Sequence, residues 1–173
     1  MHFIYTMLFL AAAIKWGDWR NWRAYYPTIL FFIGGDLLKN AILYTHRMWE
    51  YQETVMGETI FFGHLTINLM IMAIVYPATI LIYLGKYPHI WWKQLLWQAF
   101  WILLYTTIEC INLHFDLLHH YHGWNMWWSL AFDTVMFSIL RLHHKNPLLA
   151  WGLSMIWMIV LWNVFDVPMK TLK

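Results

Sequence analysis

The stretch KWGDWRNWR, residues 15–23, separates two apolar segments and contains three basic residues. Two further connections between apolar segments, residues 86–93 and 141–145, are basic in the same way. Together these three connections hold seven of the eleven Lys and Arg residues in the chain. Basic residues in every second connection are typical of a protein that crosses a membrane several times, because basic loops remain in the cytoplasm. Lys39 lies within an apolar segment, and the opposite ends and loops hold only Arg47, Lys170 and Lys173.

The composition also indicates a membrane protein. Hydrophobic residues make up 61% of the 173 residues and charged residues 12%, about half the charged fraction of an ordinary soluble domain. The 14 Trp residues agree with this, because Trp concentrates at the membrane–water boundary. The lipid bilayer is therefore the predicted partner, and the net charge of +2 does not indicate nucleic acid. The single cysteine, Cys110, excludes an intramolecular disulfide.

Six apolar segments, each predicted to be a helix, divide the chain. Because one span needs about 20 residues, six spans use most of the chain and leave one transmembrane domain over residues 1–173. The first segment has about 15 residues and would reach only ~22 Å across the ~30 Å hydrocarbon core. We therefore predict an all-α, polytopic transmembrane helical bundle with six spans, or five if the first segment does not cross. The segments are residues 2–16, 26–44, 60–84, 90–113, 124–142 and 147–166.

The basic connections give the predicted orientation in a bacterial plasma membrane. If these connections are cytoplasmic, six spans place both termini on the non-cytoplasmic side. The acidic loop 46–58 and the histidine-rich loop 115–125 then share that outer side. No basic stretch precedes the first apolar segment, so we do not expect a cleavable signal peptide. Pro27 is expected to open the second segment and Pro77 to kink the third.

Ionisable and amide side chains inside the predicted spans form a second pattern. A charged side chain there costs about 2.5–3.5 kcal/mol or more unless it is paired or hydrated, so each one suggests a function. Because successive spans run in opposite directions, most of these residues fall in the outer half of the bilayer. Asp36 and Asp133 lie near the middle of the bilayer. They predict a polar cluster or water-filled cavity, open to the outside, that binds an ion, a proton or a small polar ligand. The cluster comprises Asp36, Lys39, Asn40, His64, Asn68, Glu109, Asn112 and Asp133.

Two pairings are expected within this cluster. Asp36 and Lys39 are three residues apart and can pair on one helix face. Lys39 and Glu109 are plausible partners across two helices. The alternative interpretation is a structural network, in which buried polar groups fix the registry of the helices and bind nothing.

Histidines concentrate on the predicted outer side, and four residues there suggest a metal site. Asp116 precedes His120 by four residues, which would place both on one helical face, and imidazole with carboxylate can hold Zn²⁺ or Cu²⁺. Two alternatives remain open. These residues could be polar groups at the membrane interface, or they could sense pH together with Glu50, Glu53 and Glu58. The candidate metal ligands are Asp116, His119, His120 and His122.

Other cofactors and catalytic motifs have little support in the sequence. Haem is one hypothesis, with His64 as an axial ligand inside the bundle. A histidine-box di-iron site is not expected, because residues 143–144 and 119–122 lie on opposite membrane faces. The sequence contains no Gly-x-Gly-x-x-Gly, Walker or Gly-x-Ser-x-Gly motif. No catalytic residue is therefore assigned.

Several short motifs are distinctive as a set: GDWRNW (17–22), YPTIL (26–30), GDLL (35–38), GWN (123–125), WS (128–129), LRLH (140–143) and PLLAW (147–151). In these motifs the chain resembles an uncharacterised family of small multi-span integral membrane proteins of spore-forming bacilli and clostridia. The resemblance covers almost the whole chain. It implies a plasma-membrane protein, with the spore inner membrane as one alternative, and it implies no activity.

Three functional hypotheses follow from these patterns. The first is a binding or transport-related membrane protein with an outward-facing polar site. The second is a structural membrane protein that packs into homo-oligomers or arrays through its aromatic faces. The third is a metal- or haem-dependent membrane enzyme.

Overall fold

The structure is a computed structural model that describes residues 2–51 and 64–168, and this part of the chain is mostly helical. The all-α prediction is therefore confirmed, apart from two short strands. A π-helical turn, Ile71–Val75, joins the two halves of the third predicted segment. The helices are α1 (His2–Trp16), α2 (Trp22–Ile42), α3 (His64–Met70), α4 (Tyr76–Tyr83), α5 (Trp91–His114), α6 (Met126–Lys145) and α7 (Pro147–Val164), and the strands are β1 (Trp49–Tyr51) and β2 (Leu118–His120).

The helices pack side by side around an aromatic core. Helix α1 packs on α4, α2 contacts both α4 and α6, and α6 lies between α5 and α7. Tyr83 and Phe137 are fully buried, and the Tyr83 hydroxyl donates to the Phe137 carbonyl at 3.0 Å. The Tyr83 ring also meets the edge of Trp101, with 6.1 Å between ring centroids. These contacts join α4, α5 and α6 through one buried tyrosine.

The three basic connections meet at one end of the bundle, which we call the basic end. The amide of Asp18, after α1, donates to the carbonyl of Leu81 near the end of α4 at 3.2 Å. The Arg141 guanidinium lies 4.1 Å from the centroid of the Tyr87 ring, which brings α6 to the connection after α4. The predicted alternation of basic connections therefore corresponds to one physical end of the bundle.

A two-stranded antiparallel sheet closes the opposite end, which we call the sheet end. Trp49 pairs with His120, Glu50 with His119, and Tyr51 with Leu118. The described part of the loop 46–58, through Tyr51, therefore lies at the same end of the bundle as the loop 115–125, as predicted. The strands themselves were not predicted, because three residues carry no readable alternation. Residues 52–63, which include Glu53 and Glu58, lie outside the described residues, as do Lys170 and Lys173.

Proline has different effects in the second and third segments. Pro27 lies inside α2 rather than at its start, because the helix begins at Trp22. Pro77 is the second residue after the π turn Ile71–Val75, and its missing N–H and its ring prevent a regular α-helical turn before it. The irregularity expected at Pro77 is thus a change in hydrogen bonding within the preceding turn.

Large apolar side chains cover the outer faces of α1, α2, α5 and α7. Leu148, for example, is 86% exposed. Among the described helices, α7 is long and apolar enough to cross a membrane, whereas α1 and the part of the chain from Ile67 to Tyr83 are apolar but shorter. By length and hydropathy, one of the six predicted spans, α7, meets the requirement for crossing a membrane.

Candidate functional site

A cavity of about 270 Å³ lies between the helices beneath the sheet. All seven helices and both strands contribute side chains to its wall. Of the predicted cluster, Asn40 does not line it, and the side chain of His64 lies outside the described residues, so the haem hypothesis cannot be placed on the fold. The other six predicted residues line the cavity: Asp36, Lys39, Asn68, Glu109, Asn112 and Asp133.

The predicted pair of Asp36 and Lys39 is confirmed. Lys39 Nζ lies 2.7 Å from Asp36 Oδ1, and the two side chains are only 13% and 12% exposed. The ammonium also lies 4.2 Å from the centroid of the Trp49 ring, a cation–π contact with β1. Asn40 Nδ2 donates to Asp36 Oδ2 at 3.4 Å from one turn further along α2. The carboxylate and the ammonium are therefore both satisfied within the wall of the cavity.

Glu109 has partners other than the one predicted. Its Oε1 accepts hydrogen bonds from His120 Nε2 at 2.7 Å and from Ser129 Oγ at 2.5 Å. Ser129 Oγ in turn accepts from Trp124 Nε1 at 2.8 Å. The expected ion pair between Glu109 and Lys39 is wrong, because His120 and Ser129 hold this carboxylate while Asp36 holds the ammonium. Glu109 thereby connects α5 to β2 and to α6.

Two other cluster residues are almost completely buried in the cavity wall. Asp133 is 7% exposed, and its Oδ2 accepts a hydrogen bond from Thr106 Oγ1 at 3.2 Å. Asn112 is 4% exposed, and within residues 2–51 and 64–168 its Oδ1 has no hydrogen-bond partner. Trp157 Nε1, in the same wall, is likewise unpartnered in the described part of the chain. A buried polar atom without a partner costs about 1–3 kcal/mol.

Sequence reasoning missed several residues of the wall. Ser129 and Tyr105 in the wall, and Thr106, which bonds to Asp133, were not predicted, although helical spacing could have indicated the first two. Tyr105 lies four residues before Glu109, and Ser129 four residues before Asp133, so each pair shares a helix face. The aromatic side chains, among them Trp49 and Trp124, had no such signal because aromatic residues are abundant throughout the chain.

The four candidate metal ligands are not brought together. The helical-face spacing assumed for Asp116 and His120 is wrong, because α5 ends at His114 and residues 118–120 form a strand. Successive side chains of a strand point to opposite faces, so His119 and His120 separate. Among residues 2–51 and 64–168, no group of three or more His, Cys, Asp or Glu side chains comes together in a way that could hold a metal ion.

His122 instead pairs with a histidine from another loop. Its ring stacks on that of His46 with 3.6 Å between centroids, and His46 Nε2 donates to the Phe165 carbonyl at 3.1 Å. Partial desolvation of the ring lowers the pKa of His122 below its usual value, and the neighbouring His46 lowers it further. The stacked pair and the bond to Phe165 join three loops, and the contact is most favourable while the His122 ring is neutral.

Acidification is expected to weaken these contacts. Between the lowered pKa of His122 and its unfolded value of about 6.5, the unfolded chain binds more protons, so the free energy of unfolding falls as pH drops through this window. Thermal unfolding in detergent at about pH 7.5 and about pH 5.5 should show a smaller pH effect in His122→Gln than in the unmodified chain. His89→Gln, at the basic end, is the control. An equal pH effect in His122→Gln and the unmodified chain would contradict this role.

No match was found when the chain was compared with protein-family models, with curated proteins and with solved structures. The resemblance to membrane proteins of spore-forming bacteria therefore stays a prediction.

Proposed function

We propose that this chain is a multi-span protein of the bacterial plasma membrane whose helices surround a binding site for an ion, a proton or a small polar ligand. The basic end faces the cytoplasm, and the cavity opens toward the sheet end on the other side. The resemblance of its motifs to those of membrane proteins of spore formers supports this location, with the spore inner membrane as the alternative.

The observation that carries the proposal is an inverted distribution of polarity. Asp36, Lys39, Glu109 and Asp133 face an interior cavity, whereas the outer faces of α1, α2, α5 and α7 carry large apolar side chains. Charged residues of membrane helices almost always face the bundle interior or a water-filled cavity. A soluble monomer rarely exposes so much contiguous apolar surface. The charges in α2, α5 and α6 also account for why these helices are less apolar than α7.

A structural role is the second candidate, and the aromatic side chains on the outer surface favour it. Trp127 is 79% exposed, and such residues could join copies of the chain into homo-oligomers. A purely structural network, however, normally satisfies its buried polar groups. The unpartnered Asn112 Oδ1 in the wall of a cavity favours binding over a structural role.

The topology can be tested by cysteine labelling in intact cells. In a Cys110→Ala background, Tyr44→Cys and Tyr121→Cys at the sheet end should react with a membrane-impermeant maleimide. Arg20→Cys and His89→Cys at the basic end should react only after lysis, because the bilayer blocks access. All four positions are exposed in the structure. Labelling of all four in intact cells would contradict the proposed span count and orientation.

The same background tests the cavity. Ser154 lines the cavity from α7, so Ser154→Cys should react in intact cells with a small water-soluble thiol reagent. Ser138, exposed on α6 away from the cavity, is the matched control. An unreactive Ser154→Cys would mean that the cavity is dry or closed to the outside, and the binding proposal would fail.

A further inference from the structure

We infer that the ligand of the cavity is a small protonated amine, which names the substrate class of the site proposed above and so depends on that proposal. Three features of the wall support a cation with N–H donors: its charge, its aromatic faces and its unpartnered acceptor.

Among the residues that the structure describes, the wall carries three carboxyl groups and one ammonium. Asp36 is matched by Lys39, and Glu109 accepts from His120 and Ser129. Asp133 accepts from Thr106 at one oxygen, whereas a carboxylate has about four acceptor positions. Asp133 therefore keeps acceptor capacity for donors supplied by a ligand.

Aromatic rings surround these carboxyl groups. Trp49, Trp124, Tyr76, Tyr105 and Trp157 all line the cavity. The faces of such rings attract cations, and aromatic cages are a known way to bind alkylammonium groups. The Lys39 ammonium, 4.2 Å from the centroid of the Trp49 ring, already shows one ring of this wall in contact with a cation.

The unpartnered acceptor indicates N–H groups on the ligand. Asn112 lies three residues after Glu109 on α5, so the two side chains share a helix face. Its Oδ1 lacks a hydrogen bond from any described residue although the side chain is 4% exposed. An ammonium with N–H donors would supply that bond, whereas a quaternary ammonium or an anion would not. The inference therefore favours a primary or secondary amine.

The size of the cavity and its backbone agree with a ligand site. About 270 Å³ is close to the lower limit of small-molecule sites. Ile71 and Val75 of the π turn line the cavity, and isolated π turns occur often at functional sites.

The test compares three probes of similar shape and different charge, added to the purified full-length chain in detergent. Phenethylamine is protonated at neutral pH, 2-phenylethanol is neutral, and phenylacetate is an anion. Thermal unfolding and a tryptophan fluorescence titration should show binding of the amine, and no binding of the alcohol or the anion at the same concentrations. This comparison needs no variant and so does not depend on the folding of one.

Variants then assign the binding to the cavity. Asn112→Leu and Asp133→Asn should each raise the Kd for phenethylamine by about tenfold or more. Asn163→Leu is the control, because that amide is exposed and bonds to its own helix at Ile159. Unchanged binding in both cavity variants would overturn the inference, because the amine would then bind elsewhere or in the micelle.

The remaining outcomes separate this inference from the proposed function. If 2-phenylethanol or phenylacetate binds as well as the amine and loses affinity in Asn112→Leu, the cation inference is overturned and the binding site stands. If no probe binds, the cation inference is overturned, and the reactivity of Ser154→Cys decides independently whether the cavity is open to ligands.

Discussion

Replacing Lys39 by methionine is expected to destabilise the folded chain by about 3–5 kcal/mol, the usual cost of removing one partner of a buried ion pair. The substitution leaves the Asp36 carboxylate, 12% exposed, without the ammonium 2.7 Å away. It also removes the cation from the face of Trp49. The free energy of unfolding can be measured by titrating mixed micelles with a denaturing detergent.

Two further variants make this prediction specific. Asp36→Asn combined with Lys39→Met should recover most of the loss, because no buried charge then remains unpaired. Lys93→Met is the matched control, since the Lys93 ammonium also lies over a tryptophan, 5.3 Å from the Trp92 ring centroid, but at an exposed position. If Lys39→Met costs no more than Lys93→Met, the pair is hydrated and the cavity is not a low-dielectric site.

Replacing Glu109 by alanine is expected to loosen the sheet end and to cost about 3 kcal/mol, since hydrogen bonds to charged groups are worth about 1.5–3 kcal/mol each and are not additive. The substitution removes the acceptor shared by His120 and Ser129. Amide hydrogen exchange should become faster in the strands Trp49–Tyr51 and Leu118–His120. The same denaturing-detergent titration gives the change in the free energy of unfolding.

Neighbouring substitutions provide the comparison for Glu109. Glu109→Gln keeps an acceptor oxygen and should cost about half as much, because charge-assisted hydrogen bonds are roughly twice as strong as neutral ones. Cys110→Ala changes the next residue, which is exposed on the other face of α5, and should leave the strands unaffected. Equal exchange rates in Glu109→Ala and Cys110→Ala would show that Glu109 does not hold the sheet.

The helices and the two ends of the bundle follow from local features of the sequence. Apolar segments predicted the six helical stretches, and basic connections predicted which loops lie together, because both properties belong to short, contiguous pieces of chain. Most of the polar cluster followed in the same way, since opposite chain directions place Asp36, Asn68, Glu109 and Asn112 at similar heights whatever their partners.

Partner choice could not be predicted, because it depends on helix rotation and on short irregular segments. Glu109 bonds to His120 rather than Lys39 only because Leu118–His120 forms a strand over the cavity. The same strand separates His119 from His120 and removes the helical spacing on which the metal hypothesis depended. Three-residue strands leave no periodic signal, so this error in the site came from a missed strand in the fold.

The π turn Ile71–Val75 also affects how homologous sequences should be aligned with this one. Its hydrogen bonds span one residue more than those of an α-helix, so deleting a single residue there would yield a regular helix. Because the π turn accommodates its extra residue within a single turn, such a deletion would leave α3 and α4 in nearly the same relative orientation and keep Asn68 in the cavity wall. Homologues one residue shorter at this point should therefore be aligned with a gap inside the π turn, and the cavity residues on either side of the gap should still correspond.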